Sequence, residues 1–402
     1  MTDHTALILA ATCDLSGKVR GKAFPADQLK KRLQRGVGWV PTNIQITCFD
    51  GIAESPFGSL GDLKLVPDPA AAMSLTLGDG PQTQVLLGDI RHLDDTPWPF
   101  CLREVLRTAL FRLNDLAGVT LNAAFEHEFQ LKGSPLSVHQ GFGLRAFEDH
   151  RGLCEDLMGA LSAVGIAPDS IMKEFGPNQY EVVVEPAEGL RAADAAVILR
   201  ELTHLVARHH AECATFVPIQ DVSSVGNGVH IHFSFLDGNG APATYDPAGP
   251  GGQSALTGAF AAGVLKYLPD ILALTAPSMI SYQRLTPHRW SAAYNNLGDQ
   301  DREAALRICP TSARDGAKKA AQFNLEYRAA DAAACPHLAL AALVHAGCQG
   351  IEEGLAAPTP TTDDLSLLSA AELTARGYER LPETLEAALH RFRGNSTVQS
   401  IG

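Results

Sequence analysis

This sequence has few of the features that mark a partner in advance. Its 32 Lys and Arg are outnumbered by 45 Asp and Glu, giving a formal charge of −13, and no block of basic residues stands out. Binding a phosphate backbone needs clustered cations, so nucleic acid is not an expected partner. Its eight cysteines form no C-x-x-C pair. That argues against a zinc ribbon or a disulfide framework and fits a reducing compartment. The short apolar run near the start follows no basic segment, so neither a signal peptide nor a membrane span is expected, and the expected location is cytoplasmic. No internal repeat is present. The remainder is ordinary globular composition: 402 residues, 46% hydrophobic and 19% charged, long enough for two domains. The acidic excess favours solubility and supplies carboxylates that can bind metal.

Residues 5–13, TALILAATC, read as a buried strand, followed by the turn-rich DLSGKVRGK. A polar helix over 26–35 ends at Gly36, and IQITCF (44–49) reads as a second strand. A stretch rich in Gly, Pro and Asp runs to about residue 95. WPFCLREVLRTALFRLNDLAG then has helical spacing, with Pro99 near its start and Gly118 as a stop. Further helices are expected over 149–164, 190–212 and 254–275, and in PHLALAALVHAGCQGIEEG, which is apolar nearly all round and so buried.

Four strand-like segments share one pattern. In a strand, alternate side chains face opposite ways. AFEHEFQL puts Glu126 and Glu128 on one face and Phe125, His127, Phe129 and Leu131 on the other. NQYEVVVEP presents Gln179, Glu181 and Glu185; VHIHFSF presents His230, His232 and Ser234; NLEYR presents Asn324, Glu326 and Arg328. One such strand is a solvated face. Four fit a sheet whose polar face lines a pocket. Carboxylates with imidazoles suit the hard ions Mg²⁺ or Mn²⁺, and paired carboxylates that close repel unless a cation separates them. Arg284, Arg302, Arg307 and Arg328 fall beside these strands. Each could be a surface ion pair. Together with carboxylates and cations they are parts for phosphoryl transfer.

The order of these segments resembles the glutamine synthetase family along nearly the whole chain. DLSGKVRGK and GDLKLVPDP resemble the family's N-terminal domain; AFEHEFQL, KEFGPNQYE, GNGVHIHFS, SYQRL, DREAALRICP and NLEYRAADAAACPHLALAALVHAG resemble its catalytic segments. The resemblance implies an α+β fold: a small N-terminal β-grasp domain (1–95) and a catalytic domain (96–402) with a curved antiparallel sheet and surrounding helices. It implies one cation held by Glu128, Glu174 and Glu181 and another by Glu126, His230 and Glu326. It places His232, Ser234 and Arg307 on ATP, and Gly226, Arg284 and Arg328 around glutamate. Arg302 would meet the transferred phosphoryl group. Asp50 would act in a neighbouring subunit's site within a ring oligomer, expected to be a dodecamer. The implied reaction joins the γ-carboxyl of L-glutamate to an amine through γ-glutamyl phosphate, using ATP and two or more Mg²⁺ or Mn²⁺ ions.

The sequence departs from the family at informative places. Where glutamine synthetases carry a glutamate that closes over the site, this chain has Trp290. A tryptophan takes no proton but can cover an apolar or cationic amine. Trp290 resembles the γ-glutamyl-polyamine and related γ-glutamyl-amine ligases, so an organic acceptor is expected. The alternatives are ammonium as acceptor, a catalytically silent sensor or scaffold, and, without the resemblance, a cupin-type metal oxygenase. Asn324 stands where many members have a basic residue, and IAESPF replaces a serine-rich loop. No counterpart of an adenylylated loop is found.

Overall fold

The computed structural model describes residues 5–54, 56–58, 60–133 and 141–399; Met1–His4 and Ser55, parts of stretches read above, lie outside the described residues. Five strands form the first sheet: β1 (Leu7–Cys13), β2 (Val19–Pro25), β3 (Val37–Trp39), β4 (Leu63–Leu75) and β5 (Thr83–Arg91). Their order is β2-β1-β5-β4-β3, with β1 and β5 parallel and the other pairs antiparallel. Helix α1 (Leu29–Arg35) packs on β4, as a β-grasp requires. The segment 44–49 is not a strand. Pro41–Gln45 is a 3₁₀ helix opened by Pro41, and Ile46 makes only an isolated bridge to Ile52. The true second strand, VRGKAFP, is an edge strand whose exposed charges hide its apolar alternation.

Helix α2 (Leu102–Ala117) leads into β6 (Thr120–Lys132), the hub of the second sheet. After helices α3 (Leu144–Glu148) and α4 (Arg151–Ala163) come β7 (Pro168–Lys173), β8 (Gln179–Val184) and β9 (Ala187–Glu188). Helix α5 (Gly189–His209) precedes β10 (Cys213–Thr215) and β11 (Val229–Leu236). Then follow helix α6 (Ala255–Thr275), helix α7 (Ser281–Arg284), β12 (Leu297–Asp299), β13 (Leu306–Ile308), helix α8 (Gly316–Gln322), β14 (Leu325–Tyr327) and helix α9 (Pro336–Glu352). The main path is β12-β13-β14-β11-β6-β8-β7. It is antiparallel except at its edge, where β12 and β13 run parallel.

The apolar faces of these strands do what alternation predicts. Phe125, Phe129, Ile231, Phe233 and Leu325 are buried, each worth about 1.5–3 kcal/mol relative to exposure. Helices α6 and α9 pack beneath part of this sheet at very close range. A Cβ on Gly263 would lie 2.4 Å from the Ala346 carbonyl oxygen, and one on Gly350 2.2 Å from that of Ala259. Helix α6 is long and apolar enough to cross a membrane, but 72% of its apolar window is buried in this core.

A buried ion cluster ties the two sheets' surroundings together. Arg103 of α2, 1% exposed, meets Asp68 of β4, Asp89 of β5 and Asp194 of α5, and Asp194 also contacts His337 of α9 at 2.9 Å. Arginine is suited to this role because its planar fork serves several carboxylates at once.

Buried histidine makes the fold acid-sensitive. Burial, and then the Arg112 charge, lower the pKa of His345 to about 4; Arg112 Nη1 lies 3.2 Å from its Nδ1. The folded chain therefore holds His345 neutral while the unfolded chain protonates it below about 6.5. Its contribution is complete above about pH 6.5 and declines as pH falls toward 4, at up to ~1.4 kcal/mol per pH unit. A His345→Gln variant should lose less stability than the parent over that interval. Urea midpoints at several pH values test this; parallel curves would refute it.

Candidate active site

The polar faces of the strands converge because the register aligns them. Across β6 and β8, Glu128 stands opposite Glu181; across β6 and β11, Glu126 stands opposite His230; across β11 and β14, His232 stands opposite Glu326. Glu326 in turn pairs in register with Arg307 of β13. Glu126, Glu128, Glu174, Glu181, His230, Trp290, Arg302 and Arg328 all line one cavity of ≈ 270 Å³. A second, of ≈ 290 Å³, is lined by Glu126, Glu185, His232, Ser234 and Asn324. Glu126 borders both, so β6 divides two chambers.

His230 is the hinge of the cluster. Its Nδ1 lies 3.7 Å from Glu126, 3.9 Å from Glu181 and 3.5 Å from Glu326, and its Nε2 lies 3.7 Å from Glu128. Donor atoms of Glu126, Glu181 and His230 all lie within 4.8 Å of one another, as do those of His232, Cys309 and Glu326. These tight groups do not coincide with the two ligand sets expected from the resemblance: Glu181 joins Glu126 and His230, and Cys309 is an added donor.

The charges show what kind of ligand the cluster suits. Burial and the neighbouring carboxylates, Glu126 first, push Glu181 well above the usual carboxylate range. Burial and Glu128 raise Glu174 in the same direction. Burial opposes ionisation of Glu126, but His232 and His230 overcome it and pull its pKa down. Glu326 is likewise held down to about 2: burial opposes this, and Arg328 leads the charges that outweigh it. Carboxylates this crowded, with imidazole among them, fit hard divalent cations bound between them.

The remaining predicted residues fall into place unequally. Glu326, 1% exposed, is clamped by Arg307 at 2.8 Å and by Arg328. Arg328 also donates to the carbonyls of Arg302 (2.9 Å) and Trp290 (3.2 Å), so it fixes the loop that carries both. Arg284 is buried behind the cavity and donates to the Ala330 carbonyl at 2.6 Å. A Cβ on Gly226 would lie 2.8 Å from Arg284 Cγ and 2.3 Å from the Pro218 carbonyl oxygen. The missing side chain there makes room for Arg284 itself. Asp50 is not brought to the cluster of its own chain. It sits in an exposed turn with φ 59°, 70% exposed, and meets Arg20 at 3.1 Å.

Gln179, on the polar face read from NQYEVVVEP, donates from Nε2 to Glu128 at 3.1 Å. Residues that the sequence pattern does not single out also contribute: the Gly228 amide donates to Glu128 at 2.9 Å. Phe142 and Met172 line the first cavity, and Phe175 meets the Trp290 ring edge-on at 5.7 Å between centroids. These three come from loops and an outer strand with no periodic pattern.

Comparison with known proteins settles the family. Residues 99–401 match the glutamine synthetase catalytic domain, and residues 1–98 the glutamine synthetase N-terminal domain. The chain belongs to the glutamine synthetase family. It is similar to the gamma-glutamylpolyamine synthetase GlnA3 of Streptomyces coelicolor, 32% identical over 98% of this chain and 85% of that protein. It is also similar to the type-1 glutamine synthetase 1 of Dictyostelium discoideum, 28% identical over 95% of this chain and 80% of that protein. The crystal structure of a novel glutamine synthase homolog superposes with a TM-score of 0.90 at 40% identity, covering 100% of this chain and 91% of that one. As a glutamine synthetase family member the protein is a ligase, and the family uses ATP with divalent metals.

Proposed function

We propose that this ligase joins the γ-carboxyl of L-glutamate to an organic amine through γ-glutamyl phosphate. A γ-carboxylate oxygen attacks the terminal phosphorus of ATP and ADP leaves. The amine nitrogen then attacks the acyl carbon, and phosphate departs with that oxygen as the nitrogen loses a proton. Bound Mg²⁺ or Mn²⁺ would neutralise the phosphate oxygens and the incoming carboxylate.

In this reading Glu128, Glu174 and Glu181 hold one cation, and Glu126, His230 and Glu326 another. Arg302, exposed at the cavity, meets the phosphoryl group, and Arg328 holds the glutamate carboxylate. Arg284 orients that end of the site from behind through Gly226 and Gly228. His232 and Ser234, which line the second chamber, face the nucleotide, and Arg307, held beside them on Glu326, meets the ATP phosphates. Asp50 serves a neighbouring subunit, a role that its exposure in a turn supports, in a cytoplasmic ring of twelve.

The observation that carries the choice of acceptor is Trp290. Its ring, 50% exposed, borders the carboxylate cavity beside Phe142 and Phe175. An aromatic wall attracts a cationic amine by about 0.5–2 kcal/mol, and its area adds contact with the alkyl or aryl part of an organic amine that ammonium lacks. ADP release with glutamate should depend on organic amines and be weak with ammonium. Strong turnover with ammonium, and none across a panel of alkyl, aryl and polyamines, would overturn this reading.

A further inference from the structure

A cleft of ≈ 770 Å³ lies between the turn after β1 and residues 45–54 on one side and α5, β10 and residues 277–280 on the other. It shares no lining residue with either reaction chamber. Its volume falls within the roughly 300–1,000 Å³ of ordinary small-ligand sites. Leu15, Ile46 and Phe49 line it from the first side, and Phe216, Pro218 and Ile280 from the second. Phe49 is 92% exposed and Leu15 42%, so part of this lining is apolar surface left in water.

Arg200 of α5 lines the same cleft and is only 8% exposed. An arginine buried that deeply is ordinarily paired with a carboxylate. Among the described residues, none forms an ion pair with Arg200. Its Nη1 donates to the Ala334 carbonyl at 3.1 Å, and its guanidinium carbon lies 5.3 Å from the centre of the Phe216 ring. Gly17, at φ 72°, leaves the space that the guanidinium needs: a Cβ there would lie 2.9 Å from Nη1 and 3.3 Å from Nη2. Nε and Nη2 have no protein partner and are not sealed off by surrounding atoms. Together they form one edge of the guanidinium, the geometry that takes a carboxylate in two parallel hydrogen bonds.

The other charged groups of the cleft leave that edge free. Lys18 donates to the Cys48 carbonyl at 2.8 Å, and Glu54 is exposed. Burial raises the Glu201 carboxyl above its ordinary range. Burial, and then the Arg200 charge, lower His204 to about 4, so it is neutral near pH 7. Another protein surface would cover the apolar lining equally well, but the open guanidinium edge selects an anion. We infer that the cleft binds a small monoanion with an apolar body, an alkyl or aryl carboxylate, held by Nε and Nη2 of Arg200 with its body against Phe49, Phe216 and Ile280.

Calorimetric titration of the full chain with sodium octanoate, without ATP or metal, tests this; octan-1-ol offers the same tail without the charge. One octanoate should bind per chain, at least about tenfold tighter than octan-1-ol. Arg200→Gln should lower octanoate affinity by about tenfold or more and leave octan-1-ol unchanged. Because Arg200 also holds the Ala334 carbonyl, a second variant keeps the guanidinium: Val217 lines the cleft, and Val217→Phe should fill it and abolish octanoate binding. Octanoate no tighter than octan-1-ol, affinity unchanged in either variant, or no binding at all overturns the inference. The proposed ligase reaction is read by ADP release and stands apart from each of these outcomes.

Discussion

Glu326→Ala should abolish amide synthesis, with kcat reduced at least ~10³-fold. Glu326 is the point at which the cluster's charges meet. It faces His230 at 3.5 Å, receives Arg307 at 2.8 Å, pairs with Arg328, and stands opposite His232 in the sheet. Removing the carboxylate withdraws a cation ligand of the proposed site and leaves two guanidiniums without their shared anion. The second effect is structural, about 3–5 kcal/mol when one partner of a buried pair is deleted. Glu326→Gln separates the two in part: its one amide oxygen can still accept from Arg307, but its NH₂ meets Arg328 and the charge is gone. The Gln variant should lose less stability than the Ala variant and remain inactive. A folded Gln variant with more than about a tenth of the parent's kcat would show that Glu326 holds the arginines and nothing else.

Trp290→Ala should raise KM for an organic amine by about tenfold while kcat changes much less. The ring adds contact area and a π face to the cavity mouth and stacks edge-on with Phe175. An indole ring takes up no proton here, so its loss should fall on binding of the acceptor. Trp290→Glu goes further and places a carboxylate where the family's ammonium-using members carry one. Ammonium-dependent turnover should rise as amine-dependent turnover falls. Steady-state kinetics with both acceptors decide it. An unchanged amine KM in the Ala variant would remove Trp290 from acceptor selection.

The sequence revealed the strands of the site more clearly than the surfaces around it. Glu126, Glu128, Glu181, His230 and Glu326 sit on strands whose other face is continuous apolar core, so period-two alternation exposed them. Their mutual pairing followed from register, which alternation alone does not set. The β2 edge strand was missed because its outward residues are charged, and 44–49 was misassigned because a proline-led 3₁₀ turn carries the same β-branched residues as a strand. Gly226 is expected beside the substrate from its motif, but that Pro218 and Arg284 crowd its Cβ direction is visible only in the folded chain. The aromatic rim of Phe142, Phe175 and Trp290 is assembled from segments far apart in the chain. No local pattern announces it.

The central claim is that ATP activates the γ-carboxyl of glutamate before the amine arrives, and isotope transfer tests it most directly. Glutamate labelled with oxygen-18 in its γ-carboxyl is turned over with ATP and the best amine, and the released phosphate is analysed by mass spectrometry. The account predicts one labelled oxygen in each phosphate, because the carboxylate oxygen that attacked phosphorus leaves with it. Phosphate free of label, released in step with amide formation, would contradict it.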